Sequence, residues 1–181
     1  MKTVLVICLA IGLLACANSP TKKQKKSEVV IIGLSDTLKI PEHVKIDRLL
    51  VLKSKRQLIA FSGNKRIKTY RICLGRNPIG AKEFEGDMKT PEGIYLIDGK
   101  NPNSRYYKNL GVSYPNNADR KRAKRLGKKT GGDIKIHGTG GDINTPDPLY
   151  DWTWGCIAVT NKEIDELYKH VETGIPIEIK P

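Results

Sequence analysis

The chain has 181 residues, which is enough for one domain with extensions and too little for two. It carries a formal net charge of +13 and four cysteines. Two of those cysteines, Cys8 and Cys16, fall in the first stretch, so only Cys73 and Cys156 remain for a folded domain and a disulfide framework is excluded.

The first element is MKTVLVICLAIGLLAC, with Lys2 as its charged start and an apolar run from Val4 to Ala15. That run is too short for a permanent membrane span and has the length of a signal-peptide core, predicting a signal over residues 1–15. It ends in Leu13-Leu14-Ala15-Cys16, which is similar to a bacterial lipobox and makes Cys16 the expected lipidation site. The plainer reading is a secretory signal with an incidental cysteine. Ala17 is not aspartate, so in a Gram-negative cell the usual sorting rule would send the protein to the outer membrane. The expected location is therefore the cell envelope, lipid-anchored on the periplasmic side. Residues 16–45 begin polar and basic with no apolar period, as a flexible tether should. Residues 46–181 then form the expected domain, and roughly 135 to 150 residues are ample for one core.

From Asp47 the pattern is β. Leu50, Leu52, Leu58 and Ala60 fall near period two on either side of the basic turn KSKR. KRIKTYRICLG continues through Ile67, Tyr70, Ile72 and Leu74 to Gly75. Thr90-Pro91-Glu92-Gly93 breaks the chain before a strand through Ile94 to Ile97. NPNSRYYKNLGVSYPNNAD reads as a long connection, loop-like in its first half, with a short strand at Leu110–Ser113. Asp119 to Leu126 predicts a short basic helix ended by Gly127. GGDIKIHG predicts a buried strand with Ile134 and Ile136 on one face and His137 at its end. After a polar loop come a short apolar run, CIAV, and a helix announced by the capping box of Thr160 and Glu163. Ile164, Leu167, Tyr168 and Val171 share one face of that helix, Gly174 closes it, and IPIEIK reads as a last strand. The expected fold class is α+β, mainly antiparallel β with one or two short helices.

Seven of the ten residues from Arg120 to Lys129 are basic. Nucleic acid would be the reflex partner, but an exported chain rarely meets it. An anionic wall polymer, a membrane surface or a solvated helix face fits better. Cys73 and Cys156 could bridge in an oxidising compartment. Zinc has no motif here, because His43, His137 and His170 are scattered and there is no CxxC or HExxH. No cofactor is expected.

His137 and Cys156 raise a further reading. A thiol attacks a carbonyl as thiolate, and an imidazole can take its proton. His137 is followed by Gly138 and Cys156 is preceded by Gly155, and both glycines permit close backbone approach. On residue types alone, packing and catalysis both remain open, with packing the commoner role.

The wider pattern is more specific. IHG, then fifteen residues from Gly138 to Trp152, then TWGCIAVTN resembles the L,D-transpeptidase catalytic domain of the YkuD type. That family places a histidine, a connection of this length, and Ser/Thr-His-Gly-Cys. KTPEGIYLI, NPNSRYYKNLGVSYPNNAD and GGDIKIHG agree as well, so the resemblance runs from about Leu49 to the C-terminus. It implies an L,D-transpeptidase-type β-sandwich with peptidoglycan stem peptides as partner and a wall-attached protein as a second one. It also implies Cys156 as nucleophile, His137 as general base and the Gly138 carbonyl as the group orienting the imidazole. A buried carboxylate is then not required, although Asp133, Asp142 and Asp151 are close in sequence. The Gly155 and Cys156 amides become the expected oxyanion donors, and Trp152, Thr153 and Trp154 the expected substrate-binding residues. Met88, Tyr106 and Tyr107 are weaker candidates for the site, with core packing the commoner role for such residues.

Two departures stand out: Trp154 occupies the place of the family's second histidine, and Ala158 that of an arginine. They leave hydrolysis of peptidoglycan or protein–peptidoglycan amide bonds as the alternative to transpeptidation. A non-catalytic wall-binding lipoprotein is the alternative of a different class.

Overall fold

The computed structural model describes residues 39–140 and 150–181. The expected signal peptide, Cys8, Cys16, most of the tether and Asp142 lie outside the described residues.

Eight strands and two helices follow in the order β1 (Arg48–Leu52), β2 (Gln57–Ser62), β3 (Lys65–Arg71), β4 (Gly93–Ser104), β5 (Tyr107–Val112), α1 (Asn117–Arg125), β6 (Lys135–His137), β7 (Ile157–Ala158), α2 (Asn161–His170) and β8 (Pro176–Lys180). The strands form one sheet ordered β3-β2-β1-β8-β4-β5-β6-β7. Pairing is antiparallel except for β1 with β8 and β6 with β7. The long strand β4 turns the sheet, giving its first half to β8 and its second half to β5. Just past β3, Cys73 and Ala158 exchange both backbone hydrogen bonds at 2.9 Å, so the two ends of the sheet meet. Full pairing at that seam leaves the short strand β7 without an open edge.

Leu49, Val51, Leu58, Tyr70, Ile97, Ile177 and Ile179 fill the space inside the curled sheet. Burial of one such side chain stabilises the fold by roughly 1.5–3 kcal/mol. Helix α2 lays Ile164 and Leu167 against β5 and β6. Its N-terminus is set by the expected capping box, with Thr160 Oγ1 accepting from the Glu163 amide and Glu163 accepting from the Thr160 amide. Helix α1 is capped in the same manner by Asn116 and Asp119, and Gly127 follows it in the left-handed region at φ +64°. Arg120, Lys121, Lys124, Arg125, Lys128 and Lys129 are all exposed on and beyond α1.

Two expectations need correction. In β1 the buried residues are Leu49 and Val51, not Leu50 and Leu52, because four consecutive apolar residues carry no phase of their own. The stretch NPNSRYYK is not a loop but the tip of the β4–β5 hairpin, where Lys100, Asn101 and Ser104 pair with Leu110, Asn109 and Tyr107. Poor β-formers are held there by the partner strand. Packing extends before residue 46: Ile40 is buried in the core, its amide donates to Glu166 at 3.0 Å, and the Val44 carbonyl accepts from His170 at 2.8 Å.

Candidate active site

β6 ends on His137, and the parallel pairing of β6 with β7 places His137 beside Ala158, two residues beyond Cys156. His137 and Cys156 thereby line one cleft of about 350 Å³. The β4–β5 hairpin also lines it, with Asn101, Asn103, Ser104, Arg105, Tyr106 and Asn109. Asp133 and Lys135 complete it.

The tautomer of His137 follows from its partner. Nδ1 lies 2.6 Å from the Gly138 carbonyl oxygen, which can only accept. Nδ1 therefore carries the hydrogen, and Nε2 is left with its lone pair. Tyr106 stacks on the imidazole with ring centroids 4.8 Å apart and 27° between planes. Trp152 meets it edge-on at 5.6 Å. Only 3% of His137 is exposed. This burial pushes its pKa below the ordinary histidine value, against the bond to Gly138, with Lys135 adding a smaller push downward.

Burial likewise raises the Cys156 thiol above the usual cysteine range. The backbone amide of Lys135 pulls the other way, Asp133 adds to the rise, and the Lys135 and Lys82 charges oppose it. In the resting arrangement the thiol donates to the Asp133 carbonyl at 3.5 Å. Asp133 itself sits in the left-handed region at φ +62°, rare for a residue other than glycine. Both shifts favour the uncharged forms, thiol and neutral imidazole.

The turn before Cys156 needs glycine. Gly155 has φ +124°, and a Cβ there would lie 2.6 Å from the Lys89 carbonyl oxygen. Its amide, expected to face an oxyanion, instead donates to Thr153 Oγ1 at 3.1 Å. Thr153, expected to touch substrate, is buried, and its hydroxyl also donates to the Cys156 carbonyl at 2.8 Å. It is a brace for the turn. The Cys156 amide has no bonded acceptor among the described residues. Trp154 is 67% exposed and is not among the cleft's lining residues, so it flanks the site rather than walling it. Ala158 is fully buried in β7.

The sequence reading missed Asn161. Its Oδ1 accepts from the Thr139 and Gly140 amides at 2.9 and 3.3 Å, fixing the segment that carries the Gly138 carbonyl. A side chain on Gly138 would run into that same Oδ1 and lie 3.0 Å from the Tyr106 carbonyl oxygen. Core packing, the commoner role expected for Tyr106, does not describe it, since it is exposed and covers the imidazole. Asp151 does not approach His137 Nδ1, which Gly138 occupies. It accepts from Arg56 and from the Leu74 amide at 2.8 Å. Cys73 and Cys156 do not form a disulfide with each other. Among the described residues no group of three or more His, Cys, Asp or Glu is placed to hold a metal.

A curled sheet with this helix placement is the L,D-transpeptidase fold. The solved L,D-transpeptidase from Xylanimonas cellulosilytica shares it, with TM-score 0.51 at 14% identity over 77% of this chain and 63% of its own. The chain belongs to the YkuD family, the L,D-transpeptidase catalytic domain, whose model matches residues 46–179. It is 29% identical over 175 residues to "Putative L,D-transpeptidase YafK" of Escherichia coli, covering 94% of this chain and 61% of that one. It is similar to Pgp2, a helical cell shape determining protein of Campylobacter jejuni, at 27% identity and TM-score 0.59 over 76% of this chain and 48% of that one. Bd1075 of Bdellovibrio bacteriovorus matches at 28% identity and TM-score 0.54, over 79% and 50% of the two chains. The chain thus spans 61% of the length of the curated relative and about half of these two structures.

Proposed function

We propose that this protein is an envelope L,D-transpeptidase that transfers acyl groups of peptidoglycan stem peptides through a Cys156 thioester. The observation that carries the proposal is the lock of His137 Nδ1 on the Gly138 carbonyl, which leaves Nε2 as a proton acceptor in the cleft that holds Cys156. Cys156 Sγ attacks the scissile carbonyl carbon as its proton passes to Nε2. Negative charge gathers on the carbonyl oxygen and is received by the Cys156 amide. Collapse breaks the C–N bond, and Nε2 returns the proton to the departing amine. An incoming amine then attacks the thioester carbon, its proton passes through Nε2, and the thiol is restored. Burial favours the uncharged form of each group, so in this reading proton transfer accompanies the attack.

Family membership supports the substrate class, and the shape-determining Pgp2 and YafK's printed name point the same way. Lipidation at Cys16 would hold the domain at the envelope membrane, and labelled palmitate incorporated by the wild type but not by Cys16→Ser tests that part.

Purified protein incubated with muropeptides, with and without an amine acceptor, is expected to give the acceptor adduct by mass spectrometry. Cleaved products alone, indifferent to acceptor, would replace transfer with hydrolysis. No Cys156-dependent product would leave a wall-binding protein without catalysis.

A further inference from the structure

The part of the cleft lined by the β4–β5 hairpin is chemically uneven. Three of its residues are asparagines and one is an arginine, all from the β4–β5 hairpin. Asn109 is 5% exposed yet lines the cleft, and its side-chain amide has no bonded partner among the described residues. Asn109 pairs directly with His137 across β5 and β6, so the two side chains stand on one face with Cβ atoms roughly 4.5–5.5 Å apart. The amide is therefore open to a ligand in the cleft. A carboxamide offers a donor and an acceptor together, the complement of a peptide group.

Arg105 is the cleft's uncompensated charge. Lys135 is neutralised by Asp133 at 2.6 Å, whereas Arg105 has no acidic partner among the described residues. Its one described contact is its own neighbour's ring, with the guanidinium carbon 5.9 Å from the centre of Tyr106. The backbone beneath it is held firmly. A Cβ on Gly140 would lie 2.9 Å from the Arg105 carbonyl oxygen and 3.2 Å from Tyr106 Cα, so the hairpin tip is pressed onto the segment that follows His137. The arginine's origin is therefore fixed relative to the imidazole, and its planar fork suits a carboxylate.

We propose that Asn109 and Arg105 form a substrate-reading subsite in which Asn109 holds a peptide group beside His137 and Arg105 pairs with a free carboxylate of the acyl-donor peptide. This deepens the stem-peptide reading and rests on it for the identity of the peptide. The subsite selects donors that carry an unmodified carboxylate and disfavours the carboxamide form.

The test compares a stem tetrapeptide with versions in which each free carboxylate in turn is converted to the carboxamide. For wild type, one conversion should lower kcat/KM by about 10- to 100-fold, the range of a charge-assisted bond. Arg105→Gln should bring that acid-to-amide ratio near one, and Arg105→Lys should restore part of it. Asn109→Ala should raise KM for acid and amide alike, with thermal unfolding confirming a folded protein. An undiminished ratio in Arg105→Gln, or no ratio in wild type, overturns the inference. Binding of the same peptides to Cys156→Ala separates the two claims. Carboxylate- and Arg105-dependent binding without turnover by the wild type keeps the subsite and rejects the enzymatic reading. Turnover indifferent to Arg105 does the reverse.

Discussion

Thr153→Val removes one hydroxyl and keeps the shape of the side chain. That hydroxyl accepts from the Gly155 amide at 3.1 Å and donates to the Cys156 carbonyl at 2.8 Å, across the turn that presents the thiol. The Gly155 amide is buried and would be stranded, at a cost of about 1–3 kcal/mol. The Cys156 carbonyl is only partly buried and would recover water, adding roughly 0.5–1 kcal/mol. The sum is about 1.5–4 kcal/mol, which for a domain of this size lowers Tm on the order of 5–15 °C. The freed turn should also displace the thiol, slowing acylation by at least about tenfold. Thermal unfolding followed by circular dichroism reads the first effect, and the rate of covalent modification by a carbapenem, followed by intact mass, reads the second. Thr153→Ser keeps the hydroxyl and should recover most of both. If Thr153→Val matched wild type in Tm and acylation rate, the brace would not hold the nucleophile's turn.

Gly155→Ala should lose roughly 2 kcal/mol or more, since φ +124° and the Lys89 carbonyl both oppose a Cβ, and a denaturant midpoint measures it. Asn161→Ala strands the Thr139 and Gly140 amides and loosens the Gly138 carbonyl, so acylation should fall further than the loss of about 1–2 kcal/mol in stability alone accounts for. The acid limb of the acylation–pH profile should lie below the usual histidine range, because burial lowers the His137 pKa and keeps Nε2 unprotonated to lower pH. Tyr106→Ala should move that limb upward by hydrating the ring, and an unmoved limb would deny Tyr106 that role. Stability linked to His137 carries the matching sign: it is complete above the unfolded-state value of about 6.5 and is lost as pH falls through the lower folded-state value.

The parts of the fold legible in the sequence are those with local causes. The Thr160–Glu163 box marks the start of α2 because both partners lie within one turn, and Ile134 and Ile136 mark β6 because a short buried strand needs no partner pattern. The β4–β5 hairpin was hidden because Asn101 to Ser104 are poor strand formers whose conformation comes from β5. The phase of β1 was hidden in an unbroken apolar run and is settled by its pairing with β2 and β8. At the site, His137 and Cys156 were singled out by the resemblance to the YkuD-type pattern, and the structure brings them to one cleft. What surrounds them depends on contacts between distant segments: Asn161 reaches back twenty-two residues to Thr139, and Tyr106 crosses from another hairpin to cover the imidazole. No local pattern announces such partners, nor the bond by which the Gly155 amide donates to the hydroxyl two residues before it.

The account stands most directly on a covalent acyl-enzyme. Intact-mass spectrometry of the protein quenched during reaction with a stem tetrapeptide should show an adduct equal to the peptide less its departing amino acid. Peptide mapping should place that adduct on Cys156, and it should be absent from Cys156→Ser and sharply reduced in His137→Ala. An adduct of equal yield in Cys156→Ser, or turnover by the wild type with no thioester on Cys156, would contradict the account.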